Sequence, residues 1–281
     1  VMDTWYMGIH RAYWLSRPEL ADVAKFVSRR VFPKGDFPPA YGPFGVDSGG
    51  FTELQLLGGW KTTAVMYVAF LRKVWAQCGP FDFAAPQDWM CEDIVIKGGQ
   101  AGPLRFKGTG LSVRIHQELT TGNLLELRGL APELPIIPVV QGQRVQDYIR
   151  HVHMYADAGI DLTREPLVGV GSVCRRQHMD EAIEIMQALR DLGIPRLHGF
   201  GFKIEGLRAC WNLLHTADSM AWSFDGRHAG PCQHPPYATG KQPQSEANCL
   251  SYALEWRRQH IRPPRRTPTR QMSLFDVGVA A

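Results

Sequence analysis

Short apolar runs that stop at small or polar residues recur along the chain. Gly45-Val46 stops at Asp47-Ser48-Gly49-Gly50, and residues 81–85 stop at Pro86-Gln87-Asp88. Ile136-Ile137-Pro138-Val139-Val140 stops at Gln141-Gly142, and residues 167–170 stop at Gly171-Ser172. Leu197 leads into His198-Gly199-Phe200-Gly201, and a last short run meets Asp218-Ser219. Continuous apolar runs of this length are the pattern of strands buried on both faces. Helical spacing fills the intervals. Val145, Tyr148, Ile149, Val152 and Tyr155 form one stripe over residues 144–158, and Met179, Ile183, Met186, Leu189 and Leu192 form another over 179–192. Asp180 and Glu181 open the second helix, where the macrodipole favours negative charge.

Strand, polar turn and helix in repeated succession predict a parallel sheet. With at least six such units in 281 residues, the expected fold is α/β, a closed (β/α)8 TIM-type barrel. In such barrels the residues just after the strands line the active site. The barrel is expected over residues 1–226. A Pro-rich loop runs from Gly226 to about Asn248, and residues 227–262 are expected to form a zinc loop and a final helix that carries Leu250, Ala253, Leu254 and Trp256 and ends near Arg262-Pro263-Pro264. Residues 263–281 read as a flexible basic tail.

Charge sharpens this division. The net +4 is carried by the end of the chain, where Arg257, Arg258, Arg262, Arg265, Arg266 and Arg270 face one acid, Asp276, leaving the body close to neutral. No run approaches the length of a membrane span, and the start has no signal-peptide pattern. Six widely spaced cysteines do not make a secreted disulfide framework, so reduced thiols in a cytoplasm are expected.

Asp47 and Asp218 stand at two expected strand ends. Two carboxylates facing one pocket can divide the work of breaking a glycosidic bond, one attacking the sugar and one handling protons. Each is equally placed to be an ordinary helix N-cap. Asp88 could accept two parallel hydrogen bonds from a guanine-like edge, or act as a cap. Gln141 offers an amide and Gly169–Ser172 open backbone amides; Phe51 could stack on a heterocycle or belong to the core, and His198 could line the pocket or the barrel interior. Cys232, His234 and Cys249 have the mixed S and N donors that suit tetrahedral zinc, with Glu246 and His260 as candidates for the fourth ligand. Unrelated polar loop residues would give the same spacing.

In combination these motifs resemble the tRNA-guanine transglycosylase superfamily. Asp47-Ser-Gly-Gly-Phe-Thr-Glu-Leu, Ala85-Pro-Gln-Asp-Trp-Met-Cys, Val168-Gly-Val-Gly-Ser-Val-Cys-Arg-Arg, Leu197-His-Gly-Phe-Gly and Ala217-Asp-Ser-Met-Ala-Trp-Ser look like its DNA-modifying branch, the deazapurine DNA transglycosylases of bacteria and phages. The resemblance spans roughly residues 5–256. It implies exchange of guanine in DNA for 7-cyano-7-deazaguanine (preQ0). In it Asp218 is the covalent nucleophile and Asp47 its partner, while Asp88, Gln141, Gly171, Ser172, Phe51 and His198 form the base pocket. It implies a structural zinc, DNA and base as partners along with other DNA-modification proteins, and a bacterial or phage-infected cytoplasm. Two departures from the tRNA enzymes stand out. No Pro-Thr-Arg turn follows Asp218, and their Cys-x-Cys-x2-Cys zinc motif with a distant His is replaced by Cys232-x-His234 and a late Cys249; where the close relatives commonly carry a further cysteine, this chain has Glu246. The same chemistry on tRNA and a non-catalytic nucleic-acid-binding barrel are the alternatives.

The tail adds Gln271-Met272-Ser273-Leu274-Phe275, which resembles the short bacterial peptide that docks on the DNA sliding clamp. Gln271, Leu274 and Phe275 would make that contact.

Overall fold

The computed structural model describes residues 2–173, 179–236 and 240–263. Gln271, Leu274 and Phe275, with Arg265, Arg266 and Arg270, lie outside the described residues.

The elements run β1 (Thr4–Ile9), β2 (Lys25–Ser28), β3 (Phe44–Asp47), α1 (Gly50–Leu57), α2 (Ala64–Cys78), β4 (Phe83–Ala84), α3 (Asp93–Lys97), β5 (Gly99–Ala101), β6 (Leu104–Phe106) and α4 (Val113–Leu130). They continue with β7 (Val139–Val140), α5 (Val145–Asp157), β8 (Val168–Val170), α6 (Met179–Asp191), β9 (Leu197–Gly199), α7 (Ile204–Ala209), β10 (Thr216–Ser219), α8 (Ala221–His228) and α9 (Leu250–His260). Eight strands form one sheet in the order β4-β3-β2-β1-β10-β9-β8-β7. Every pairing within it is parallel. Strands β5 and β6 form a separate antiparallel hairpin.

The sheet curls. Ala84 of β4 bridges in parallel to Ile136, just ahead of β7. The Ala84 N–H donates to the Pro135 carbonyl at 2.9 Å, and the Ile137 N–H donates to the Ala84 carbonyl at 3.1 Å. The first and last strands of the order therefore meet through residues 135–137.

Alternation along each strand sorts side chains to two sides. Tyr6, Phe26, Phe83, Ile137 and Leu167 form one cluster, whereas Trp5, Met7 and Val27 belong to the large core beneath the helices. Lys25 is fully buried in β2, yet its ammonium donates to the carbonyls of Leu20, Val23 and Tyr41. Three acceptors replace the water it has lost. Helix starts are capped locally: the Thr63 hydroxyl accepts from Met66 N–H and Ser112 from Ile115 N–H.

The final helix joins the main core, with Trp256 packed 6.1 Å from Trp5. The Pro-rich loop starts later than Gly226, because residues 226–228 complete α8. Gly226 is helical and must be small: a Cβ there would lie 2.9 Å from the backbone of Glu246 and Ala247. No helix among the described residues is long and apolar enough to cross a membrane.

Candidate active site

The carboxyl ends of the strands surround a cavity of about 460 Å³. Asp47, Phe51, Asp88, Gln141, Gly171, Ser172 and Asp218 all line it, although they come from five different strand ends. Seven of the eight residues expected at the catalytic centre and base pocket thus converge.

Asp218 is buried in β10, where its Oδ1 accepts from the Gly201 N–H at 3.0 Å and faces His198 Nε2 at 3.3 Å. Asp47 ends β3 and accepts from the Gly49 N–H at 3.1 Å. Burial pushes Asp47 above the ordinary carboxylate range and the nearby Asp218 pushes it further, against the opposing hydrogen bond from Ser28. One member of the pair is thereby inclined to hold a proton, which is what a shared acid–base task requires.

The turn after Asp47 is held from behind. Gly49 adopts a left-handed φ of 78°, and a Cβ at Gly50 would lie 2.7 Å from the Trp60 ring. Arg29 donates to the Ser48 carbonyl at 3.2 Å, to Glu53 at 2.5 Å and to the Thr62 hydroxyl at 2.8 Å. Glu53 also accepts from the Lys61 and Thr62 N–H groups. Burial raises Glu53, but these hydrogen bonds and the Arg29 charge bring it below the ordinary glutamate value.

Across the cavity lies a set of groups able to read a base edge. Gln141 is fully buried; its backbone N–H donates to His151 Nδ1 at 2.8 Å and its carbonyl accepts from Gln117 Nε2 at 2.6 Å. The Gln141 amide nitrogen donates to Asp88 Oδ2, and its oxygen lies 2.6 Å from Ser172 Oγ. Asp88 is pushed up to about 7 by burial and by Asp47, with the Gln141 hydrogen bond opposing. Ser172 holds a left-handed φ of 57°, which aims its hydroxyl into this set. The backbone amides of Gly169 and Gly171 are not open: they donate to the carbonyls of Pro138 and Val140 within the sheet. Gly171 is instead required for closeness, since a Cβ there would lie 2.3 Å from Gln141 Nε2. Phe51 lines the cavity with its ring tilted edge-on to Phe106, 5.5 Å between centroids.

His198 departs from expectation. It does not line the cavity but lies fully buried below it, with Nδ1 2.8 Å from the Thr216 hydroxyl and Nε2 against Asp218. The parallel register pairs His198 with Thr216, one layer beneath Asp218, among Phe83 and Phe200 at 4.8 and 4.6 Å. Its ring reaches the Asp218 carboxylate rather than the cavity wall. Glu92, Met90, Phe200 and Met220 also line the cavity and were missed. A carboxylate four residues after Asp88, directly following the motif that ends at Cys91, was the available signal for Glu92.

A second cluster lies between α8 and α9. The ligand atoms of Cys232, His234, Glu246 and Cys249 all fall within 4.8 Å of one another, so the group could hold a metal ion. Glu246 Oε1 accepts from the Gln233 N–H at 2.7 Å, while Oε2 is buried without a hydrogen-bond partner. A buried carboxylate oxygen so placed fits a cation. His260 is not part of the group. Its Nδ1 lies 2.9 Å from the Trp256 carbonyl, and its ring stacks on Trp256.

The sequence model of the DpdA family, DeoxyPurine in DNA protein A, matches residues 1–275. The chain therefore belongs to that family, whose role is DNA modification by a transglycosylase-type enzyme. Among curated proteins no match was found.

Proposed function

We propose that this chain exchanges guanine in DNA for 7-cyano-7-deazaguanine through a covalent aspartyl-glycosyl intermediate. The observation that carries the reading is the convergence of Asp218 and Asp47 with the Asp88–Gln141 edge in one cavity.

A base stacked in a duplex cannot bring its sugar to a recessed carboxylate, so the target nucleotide must be turned out or single-stranded. Asp218 then attacks C1′ as the C1′–N9 bond breaks. The departing guanine takes a proton from Asp47, whose environment favours the protonated form. The incoming base returns a proton to Asp47 and attacks C1′, displacing Asp218 and restoring both carboxyls. Bonds made equal bonds broken, so no nucleotide triphosphate is needed. His198 and the Gly201 N–H hold Asp218 in one rotamer for attack. Asp88, beside the Gln141 amide, accepts the paired donors of a guanine-type edge, and Phe51 lies against the ring.

We read the fold as a closed (β/α)8 barrel over residues 1–226, supported by the Ala84–Ile136 bridge. Residues 227–262 are its metal-binding appendage. Cys232, His234, Glu246 and Cys249 would hold zinc, which when bound supplies charge to neutralise the buried donors and ties the loop to α9. The clamp-binding reading of Gln271, Leu274 and Phe275 rests on the sequence alone. Changing Leu274 and Phe275 to Ala should abolish binding to purified clamp.

Purified protein incubated with labelled guanine and either duplex DNA or tRNA tests the proposal. Label in DNA but not tRNA, with preQ0 displacing it in nucleoside mass spectra, is the expected result. Label in tRNA alone, or in neither, would overturn it.

A further inference from the structure

We propose that Glu92 is a positioning residue for base recognition, joined to Asp88 through Ser172 and Gln141 in a two-way hydrogen-bond relay. This deepens the reading of Asp88 as the group that takes the base edge.

Four side chains lining the cavity stand in a row: Asp88, Gln141, Ser172 and Glu92. Gln141 bridges Asp88 to Ser172, with 2.6 Å between Oε1 and Ser172 Oγ. Ser172 Oγ lies 2.9 Å from Glu92 Oε2 and accepts from the Cys91 N–H at 2.8 Å. A carboxyl group thus stands at each end of an amide–hydroxyl bridge.

The hydrogens along it can be counted. Three contacts must be filled, but the bridge owns only two hydrogens facing along the row, one on the amide and one on the hydroxyl. With both carboxyls ionised one contact is empty, acceptor against acceptor. One added proton fills all three, in either of two directions. With the proton on Glu92, the chain runs Glu92 to Ser172 to Gln141 to Asp88, and Asp88 is a carboxylate. With the proton on Asp88, the amide turns over, every hydrogen bond reverses, and Glu92 is the carboxylate. The proton leaves one carboxyl and reaches the other, with no net gain or loss.

The reversal needs no backbone movement, since the Gln141 main chain is fixed by His151 and Gln117 and only its amide turns. Adjacent donors of a guanine-type edge require Asp88 as carboxylate, so base binding selects the direction in which Glu92 holds the proton. The raised position of Asp88, at about 7, agrees with a proton shared across the bridge. Among the described residues, the other ionisable groups around the relay include Asp47 across the cavity, Cys91 in the same segment, and Asp147 and Arg150 of α5.

Titration of the free protein, with carbon-13-labelled carboxyl groups followed by NMR, tests the relay without any catalytic readout. Glu92→Gln offers an amide hydrogen in place of the shared proton. It should lower the midpoint of Asp88 by ~1–2 pH units, the equivalent of one buried contact regained. In a Ser172→Ala background the bridge is cut, and the same change should move Asp88 by less than about half as much. An equal shift in both backgrounds would reduce the effect to charge repulsion through space, and no shift would remove it; either result overturns the relay. Absence of exchange in the wild type would sink the transglycosylase reading while the NMR result still decided the relay.

Discussion

Replacing Gly171 by Ala adds one methyl group at the most crowded point of the site. Its Cβ would lie 2.3, 2.6 and 2.7 Å from Nε2, Cδ and Oε1 of Gln141. A long side chain ordinarily yields at little cost, but this one is fully buried, with its backbone bonded on both sides and its amide bonded at both ends. It can retreat only by giving up the contacts to Asp88 or Ser172. Overpacking of a tight core costs about 1–3 kcal/mol, and a hydrogen bond to a charged group is worth about 1.5–3 kcal/mol. These overlap, so a loss of about 2–4 kcal/mol is expected. At about 2–4 °C per kcal/mol for a chain of this class, Tm should fall by roughly 4–16 °C. With the Asp88–Gln141 edge disordered, guanine affinity should drop about 30- to 100-fold, the equivalent of about 2–3 kcal/mol. Calorimetric melting and isothermal titration with guanine measure the two effects. A variant that melts within about 2 °C of wild type and binds guanine within about threefold would refute the packing argument.

Asp218→Asn keeps the shape of a side chain held by Gly201 and His198. Exchange should fall by at least about 1000-fold with Tm nearly unchanged; full activity would refute the nucleophile. Arg29→Met removes the cation from a partly buried pair behind the Asp47 turn, and should cost about 2–4 kcal/mol and lower kcat as Asp47 loses its fixed position. Because Glu53 lies below its ordinary value of 4.5 when folded, its contribution is complete above that pH and fades as acid protonates it in the folded state. Arg29→Met should therefore show a smaller stability loss between neutral and acid pH than wild type in urea titrations. Chelation should lower the melting temperature, and Glu246→Ala should make that loss permanent and leave less than one zinc per chain by elemental analysis.

The strand ends were legible because each buried run stops where the chain reaches solvent, and there the sequence changes abruptly from apolar to polar. This placed Asp47, Asp88, Gln141 and Asp218 before any coordinates. Strands β1 and β2 carried no such signal because only short 3-10 turns follow them, two after β1 and one after β2, rather than amphipathic helices, and because Lys25 resembles a surface residue until its three carbonyl partners are known. The direction of His198 was unreadable: its strand has three residues, too few for alternation to show a facing. Glu246 and His260 were equivalent by spacing; only the fold separates a side chain inside the cluster from one stacked on Trp256. The amides of Gly169 and Gly171 looked available for the same reason, since pairing partners are set by neighbouring strands.

The first strand has β2 on one side and β10 on the other. On the ribosome its second edge stays bare until nearly the whole chain has emerged, a delay that invites aggregation and makes late truncations hazardous. The same delay is protective. On the proposed mechanism, a nascent or prematurely terminated chain can display Asp47 and Asp88, yet it lacks Asp218, the proposed nucleophile. The order in which the strands are translated would then withhold the attacking group until the sheet can close.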